Sequence, residues 1–199
     1  MKQQRKLVFY VRQFLDAISP TNALFTNPQV LHETIQSGGQ NLIRGMKHLM
    51  RDIQAGQVKM TDTDAFLPGR NLATTPGQVI YRNKLIELIQ YAPSTEKVYA
   101  IPLLFIPPWI NKYYILDMQP QNSLIKFLVE QGYTVFVVSW KNPDASMEEV
   151  NFEDYLTLGL VAALDVVKEI TGAPKINAVG YCIGGTLLAM ALSYLAGRE

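Results

Sequence analysis

The residues best suited to chemistry lie in one short run, Gly180-Tyr181-Cys182-Ile183-Gly184-Gly185-Thr186. The pattern G-x-C-x-G places a nucleophilic sulfur between two glycines, each two residues away. An apolar stretch, Ile176 to Val179, leads in, and a helix-forming stretch, Thr186 to Leu192, leads out. A nucleophile at such a strand-to-helix turn is held in a strained backbone and presented to solvent, and small neighbours let strand and helix pass closely. Gly180 and Gly184 are therefore the elbow glycines, and Cys182 is the candidate catalytic nucleophile. The turn also puts Cys182 at a helix N-terminus, where unpaired N–H groups and the dipole favour negative charge. The N–H of Ile183 is expected to face the point where an oxyanion forms.

The elements that must position this turn follow from periodicity. Val79–Tyr81 and Leu85–Tyr91 read as an antiparallel hairpin joined at Arg82-Asn83-Lys84. Strand and helix then alternate. Strands are expected at 101–106, 134–139 and 176–179, and helices at 122–131, 152–171 and 183–197. Continuous apolar strands separated by helices indicate a mostly parallel sheet covered on both faces, an α/β fold. The loop after strand 101–106 is Pro107-Pro108-Trp109-Ile110. In folds with such an elbow, this loop supplies the second oxyanion N–H. Neither proline has an N–H, so Trp109 or Ile110 must donate, and Ile110 is favoured. Asn142-Pro143-Asp144 reads as a turn.

The N-terminal part is helical. Leu7, Val11, Phe14, Leu15 and Ile18 share one face of a helix that Ser19-Pro20 stops. Asn27-Pro28 is an N-cap followed by an N1 proline. A stripe from Leu42 to Ile53 runs on to Ala55-Gly56, and Ser37-Gly38-Gly39 either breaks the helix or admits close packing. Residues 1–56 are thus read as a helical region whose stripes are core, lying on an α/β body over 57–199. The two histidines, His32 and His48, fall on these helices as surface or half-buried residues.

Composition narrows the function classes. A net charge of +1 and the lack of a long basic run argue against nucleic acid as a partner. One cysteine excludes a disulfide framework and suits a reducing cytoplasm. No apolar run reaches the length of a transmembrane segment. Asp62 and Asp64 lack the further ligands and the glycine of a calcium loop, so no metal site is expected.

With its upstream blocks, the chain resembles the poly(3-hydroxyalkanoate) synthases. Those blocks are Asn71-Leu72-Ala73-Thr74-Thr75-Pro76-Gly77, Ile106 to Asp117, Ser139 to Asp144, and Gly180 to Thr186. The resemblance runs from Phe9 onward and is nearest to the single-subunit synthases of short-chain monomers. It implies an α/β-hydrolase-like acyltransferase fold, incomplete at the C-terminus. It further implies 3-hydroxyacyl-CoA as substrate, a growing polyester on Cys182, and release of coenzyme A. No resident cofactor is implied, because coenzyme A arrives with the substrate. The family's Asp and His follow its cysteine, and this chain stops at Glu199 before either. The polypeptide alone is therefore expected to be inactive, and strand 176–179 to be a bare edge. The implied partners are a second copy as homodimer, a complementing C-terminal part, or the surface of a polymer granule in the cytoplasm. The alternative is a non-catalytic module associating with a full-length synthase or a granule.

Overall fold

The computed structural model describes residues 2–62 and 65–197. Thr63 and Asp64, and with Asp64 half of the dismissed calcium pair, lie outside the described residues. By its contacts the chain divides into two compact units, Met1–Asp62 and Thr63–Glu199.

In the first unit, α1 (Lys2–Ala17) ends just before Ser19-Pro20, and α2 spans Pro28–Gln36. Asn27 caps α2 by accepting hydrogen bonds from the N–H groups of Gln29 (2.9 Å) and Val30 (3.3 Å). Between α2 and α3 (Gln40–Ala55), Gly38 and Gly39 take φ of 58° and 84°. A Cβ on either would touch nothing within 4 Å, so these glycines break the helix and do not serve close packing. The apolar stripes differ from expectation. No described residue of α2 or α3 is buried, and Leu7, Phe14, Met46 and Ile53 are 54–70% exposed. Within this unit the stripes of α2 and α3 enclose no core of their own.

The second unit is built on a five-stranded sheet. Its strands are β1 (Gly77–Arg82), β2 (Ile86–Tyr91), β3 (Leu103–Ile106), β6 (Val135–Trp140) and β7 (Asn177–Gly180), in the order β1-β2-β6-β3-β7. Two short strands, β4 (Asp117–Gln119) and β5 (Asn122–Ser123), pair separately. β3 runs parallel to both β6 and β7, while β2 is antiparallel to β1 and β6, so β2 alone runs against the rest. This is the mostly parallel sheet expected. Between the strands come α4 (Leu124–Glu130), then a helical stretch made of α5 (Phe152–Asp154), a π-helical segment (Tyr155–Val161) and α6 (Ala162–Thr171). The helix α7 (Ile183–Ala196) follows β7.

Alternation along the strands builds two cores. Leu104, Ile106, Phe136 and Val138 face Leu156, Leu160, Val167 and Leu187 of the long helical stretch and α7. Leu103, Phe105, Val135 and Val137 face Ile125 and Val129 of α4. Both faces of the sheet are covered, which is why its central strands are apolar at successive positions. From β3 the chain moves to one side for β6 and then returns to the other side for β7. Such a reversal leaves a crevice at the carboxyl ends of the flanking strands, the usual ligand position in open α/β sheets.

Candidate active site

The elbow stands at that crevice. Beyond β7, the Tyr181 N–H still donates to Ile106 O at 3.1 Å, carrying the pairing with β3 one residue further. The backbone then turns sharply at Cys182, with φ 53° and ψ −125°. Apart from Ala73, Cys182 is the only described non-glycine residue with positive φ. Its side chain is exposed, and it is the N-cap of the 14-residue α7. The N–H groups of Gly184 and Gly185 donate at 2.9 Å to Tyr181 O and Cys182 O. The Ile183 N–H, between the turn and these bonds, has no partner among the described residues. A cysteine held this way combines an accessible sulfur with an unpaired donor at a helix N-terminus.

The glycines answer to backbone, not to side chains. A Cβ on Gly180 would collide with Gly185 Cα and come within 2.8 Å of Gly184 O. One on Gly184 would collide with Ile106 O and come within 3.0 Å of Pro107 C. Gly180 thus lets the start of α7 fold back over β7, and Gly184 lets α7 touch the end of β3. Gly185 belongs with them, since its Cβ would lie 3.2 Å from Gly180 O. The doublet Gly184-Gly185 was a visible signal for that third position.

The loop after β3 starts from this contact. Pro107 and Pro108 are buried, and Asn111 N–H donates to Pro108 O at 3.1 Å, closing a turn over 108–111. Ile110 lies in that turn, 75% exposed, and its N–H has no partner among the described residues. Trp109 points the other way, into an aromatic cluster. Its ring centroid lies 4.9 Å from Tyr155, 6.1 Å from Trp140 and 6.2 Å from Phe152.

Trp140 positions this loop, a role that nothing in its local sequence signals. Its Nε1–H donates to Pro107 O at 2.8 Å, tying the end of β6 to the start of the loop. The ring needs the bare Cα of Gly159, where a Cβ would come within 2.6 Å of it. Gly159 sits inside the π-helical Tyr155–Val161, where the expected helix 152–171 departs from α geometry. Such π segments arise where helix regularity yields to a local packing demand.

Asp144 lies in a turn and both histidines lie at the surface, as the sequence suggests. Asp144 caps a short 3-10 turn by accepting from Ser146 N–H at 2.8 Å, and it pairs with Lys141 at 3.1 Å. Its bonds to Ser146, then Lys141, hold its carboxyl below the usual range. His32 and His48 are exposed on α2 and α3 in the first unit. Among the described residues, no group of three or more His, Cys, Asp or Glu side chains could hold a metal ion. No described helix is long and apolar enough to cross a membrane.

The fold and its elbow define an α/β-hydrolase class of protein, and residues 101–196 match the family described as alpha/beta hydrolase fold. Residues 1–128 match the family described as the poly-beta-hydroxybutyrate polymerase (PhaC) N-terminus, and the chain belongs to that family. It is 52% identical over 197 residues to the poly(3-hydroxyalkanoate) polymerase of Methylorubrum extorquens, covering 97% of this chain and 33% of that protein. It is 47% identical over 197 residues to the poly(3-hydroxyalkanoate) polymerase subunit PhaC of Cupriavidus necator, covering 99% and 33%. Polymerase 1 of Ectopseudomonas oleovorans is 38% identical over 194 residues, covering 96% and 34%. The chain spans about a third of the length of the curated relatives it matches.

Proposed function

We propose that this chain carries the nucleophile end of a polyhydroxyalkanoate polymerase acting on 3-hydroxyacyl-CoA. Cys182 attacks the thioester carbonyl, the N–H groups of Ile183 and Ile110 receive the developing oxyanion, and coenzyme A leaves. The hydroxyl of the next monomer then attacks the cysteine-bound acyl group and lengthens the polyester. One observation carries the reading: an exposed cysteine at positive φ, capping α7, with an unpaired N–H beside it. The names of the relatives support the substrate class.

A base that takes the thiol proton, oriented by an acid, completes such a site. No histidine occurs between residues 63 and 199. We therefore expect little turnover from this polypeptide assayed by itself, since losing a base and its orienter costs several orders of magnitude. The working form is the chain joined to a complementing C-terminal part, as a homodimer, in the cytoplasm or at a polymer granule surface. The test measures coenzyme A release from 3-hydroxybutyryl-CoA. The chain alone should give none. The chain joined to the remaining two thirds of a relative should give turnover that Cys182→Ser abolishes, while association of the parts persists. Turnover that survives Cys182→Ser sinks the reading and leaves a non-catalytic association module, which the exposed apolar stripes of α1 and α3 would suit.

A further inference from the structure

Behind the loop that carries Ile110 stands an aromatic stack with Tyr155 at its centre. The Tyr155 ring lies 4.9 Å from that of Trp109 and 5.3 Å from that of Trp140, centroid to centroid. The two indoles stand 6.1 Å apart, edge to face. Tyr155 thus touches both sides of the clamp. Trp140 holds Pro107 O, and Trp109 belongs to the loop itself. Tyr155 is in turn fixed by its own element. It follows the capping box of Asn151 and Asp154, in which Asn151 Oδ1 accepts from the Glu153 N–H at 2.9 Å and Asp154 Oδ2 accepts from the Asn151 N–H at 3.0 Å. It also opens the π-helical segment, within which Gly159 leaves the space that the Trp140 ring fills.

The turn over 108–111 sets the direction of the Ile110 N–H. The Asn111 N–H closes it onto Pro108 O, so Trp109 and Ile110 are its two central residues. Ile110 is not among the described residues with positive φ, which excludes the turn types that need φ above zero at the third residue. Flipping the Trp109–Ile110 peptide would drive a β-branched side chain into that region, a genuine strain. The turn therefore fixes which way the N–H points, and whatever holds the turn fixes where it sits. Ile110 is 75% exposed and anchors nothing, so the anchor is the Trp109 ring. We propose that Tyr155 is a positioning residue for the acylation of Cys182. Its ring seats Trp109 so that the Ile110 N–H stays aimed at the oxygen of the thioester carbonyl. The proposal rests on the roles of Cys182 and Ile110 given above. A donor matters in the transition state only where it is placed well, and a misplacement of about 1 Å can lower the rate about a hundredfold.

The test uses the chain joined to the remaining two thirds of a relative, with 3-hydroxybutyryl-CoA as acyl donor and iodoacetamide as a second reagent for the same sulfur. Alkylation needs the exposed thiolate alone, whereas acylation also needs the oxyanion donor. Tyr155→Leu keeps an apolar side chain in the stack and removes the flat ring. It should lower kcat and kcat/KM alike, by about tenfold or more, and leave the alkylation rate unchanged. Tyr155→Phe should restore most of the loss. In a Trp109→Leu background, Tyr155→Leu should add little, because the ring acts through Trp109. Alkylation slowed as much as acylation would make Tyr155 a general support of the elbow and overturn the proposal. An unaltered kcat, or Tyr155→Phe no better than Tyr155→Leu, overturns it too. Turnover that survives Cys182→Ser, with Tyr155 intact, removes the cysteine reading and the proposal with it. A further measurement needs no turnover. In the 199-residue chain Tyr155→Leu should speed amide exchange at Asn111, whose bond closes the turn, and unchanged exchange there counts against Tyr155.

Discussion

At Gly184 a single hydrogen decides whether α7 can reach β3. Its Cβ would meet main-chain atoms of Ile106 and Pro107, and backbone cannot swing aside as a flexible side chain can. Gly184→Ala is therefore expected to lower stability by about 1–3 kcal/mol in urea unfolding. An unchanged midpoint would mean that helix and strand do not pass this closely. Tyr91 sets a second expectation. Burial, reinforced by Asp117 and then Tyr113, holds its phenol well above the ordinary value of 10.0. Folding thus favours the protonated phenol. That contribution is intact below pH 10.0 and is lost as pH rises from there through the folded pKa. Stability should fall as pH rises above about 10, and less steeply in Tyr91→Phe. An equally steep fall in that variant would trace the loss to other groups. The elbow was legible in the sequence because its parts are neighbours in the chain. The roles of Asp117 and Trp140 were not, because their partners Thr75 and Pro107 lie 42 and 33 residues away.

Among elements, the loop after β3 shows how local signals and distant clamps combine. The proline pair announces a rigid corner, and residues 107 and 108 are indeed buried at the strand end. What aims the corner is Trp140, through its bond to Pro107 O. Trp140→Phe keeps most of the ring packing against Trp109 and Tyr155 and removes the donor. The expected cost is about 1 kcal/mol, together with faster amide exchange at Trp109 and Ile110. Unaltered exchange would show that the prolines hold the loop unaided. The order and type of the five sheet strands and of the helices between them followed from the alternation of apolar strands with helices, whereas the short pair β4 and β5 falls partly where a helix over 122–131 was expected. The π-helical segment did not follow either, because a helix-forming sequence carries no mark of the indole that will lie against Gly159. The amphipathic stripes of α1 and α3 mark them as helices, and periodicity reports which side is apolar and not what covers it.

At the scale of the molecule, the sheet ends at β7, which among the described residues pairs only with β3. The N–H groups of Asn177 and Tyr181 point to β3, donating to Pro102 O and Ile106 O. Strand alternation therefore turns the Ala178 N–H to the open side. An exposed edge next to the apolar Val179, 38% exposed, is a template for pairing with another strand. The 199-residue chain is expected to associate as concentration rises in light scattering. Ala178→Pro, which removes an outward N–H, should weaken that association and spare the ladder to β3. A strictly monomeric parent chain would remove the edge as its cause.

The sequence by itself determined the main strands and helices, their order and the nucleophile turn, because each depends on side-chain period or on glycine, proline and cysteine within a few residues. The tertiary structure decided the strand order, the open edge at β7, the exposed N-terminal stripes, and the clamps made by Trp140 and Asp117. Those depend on which distant surfaces meet, and the chain declares that only once its apolar faces have chosen their partners.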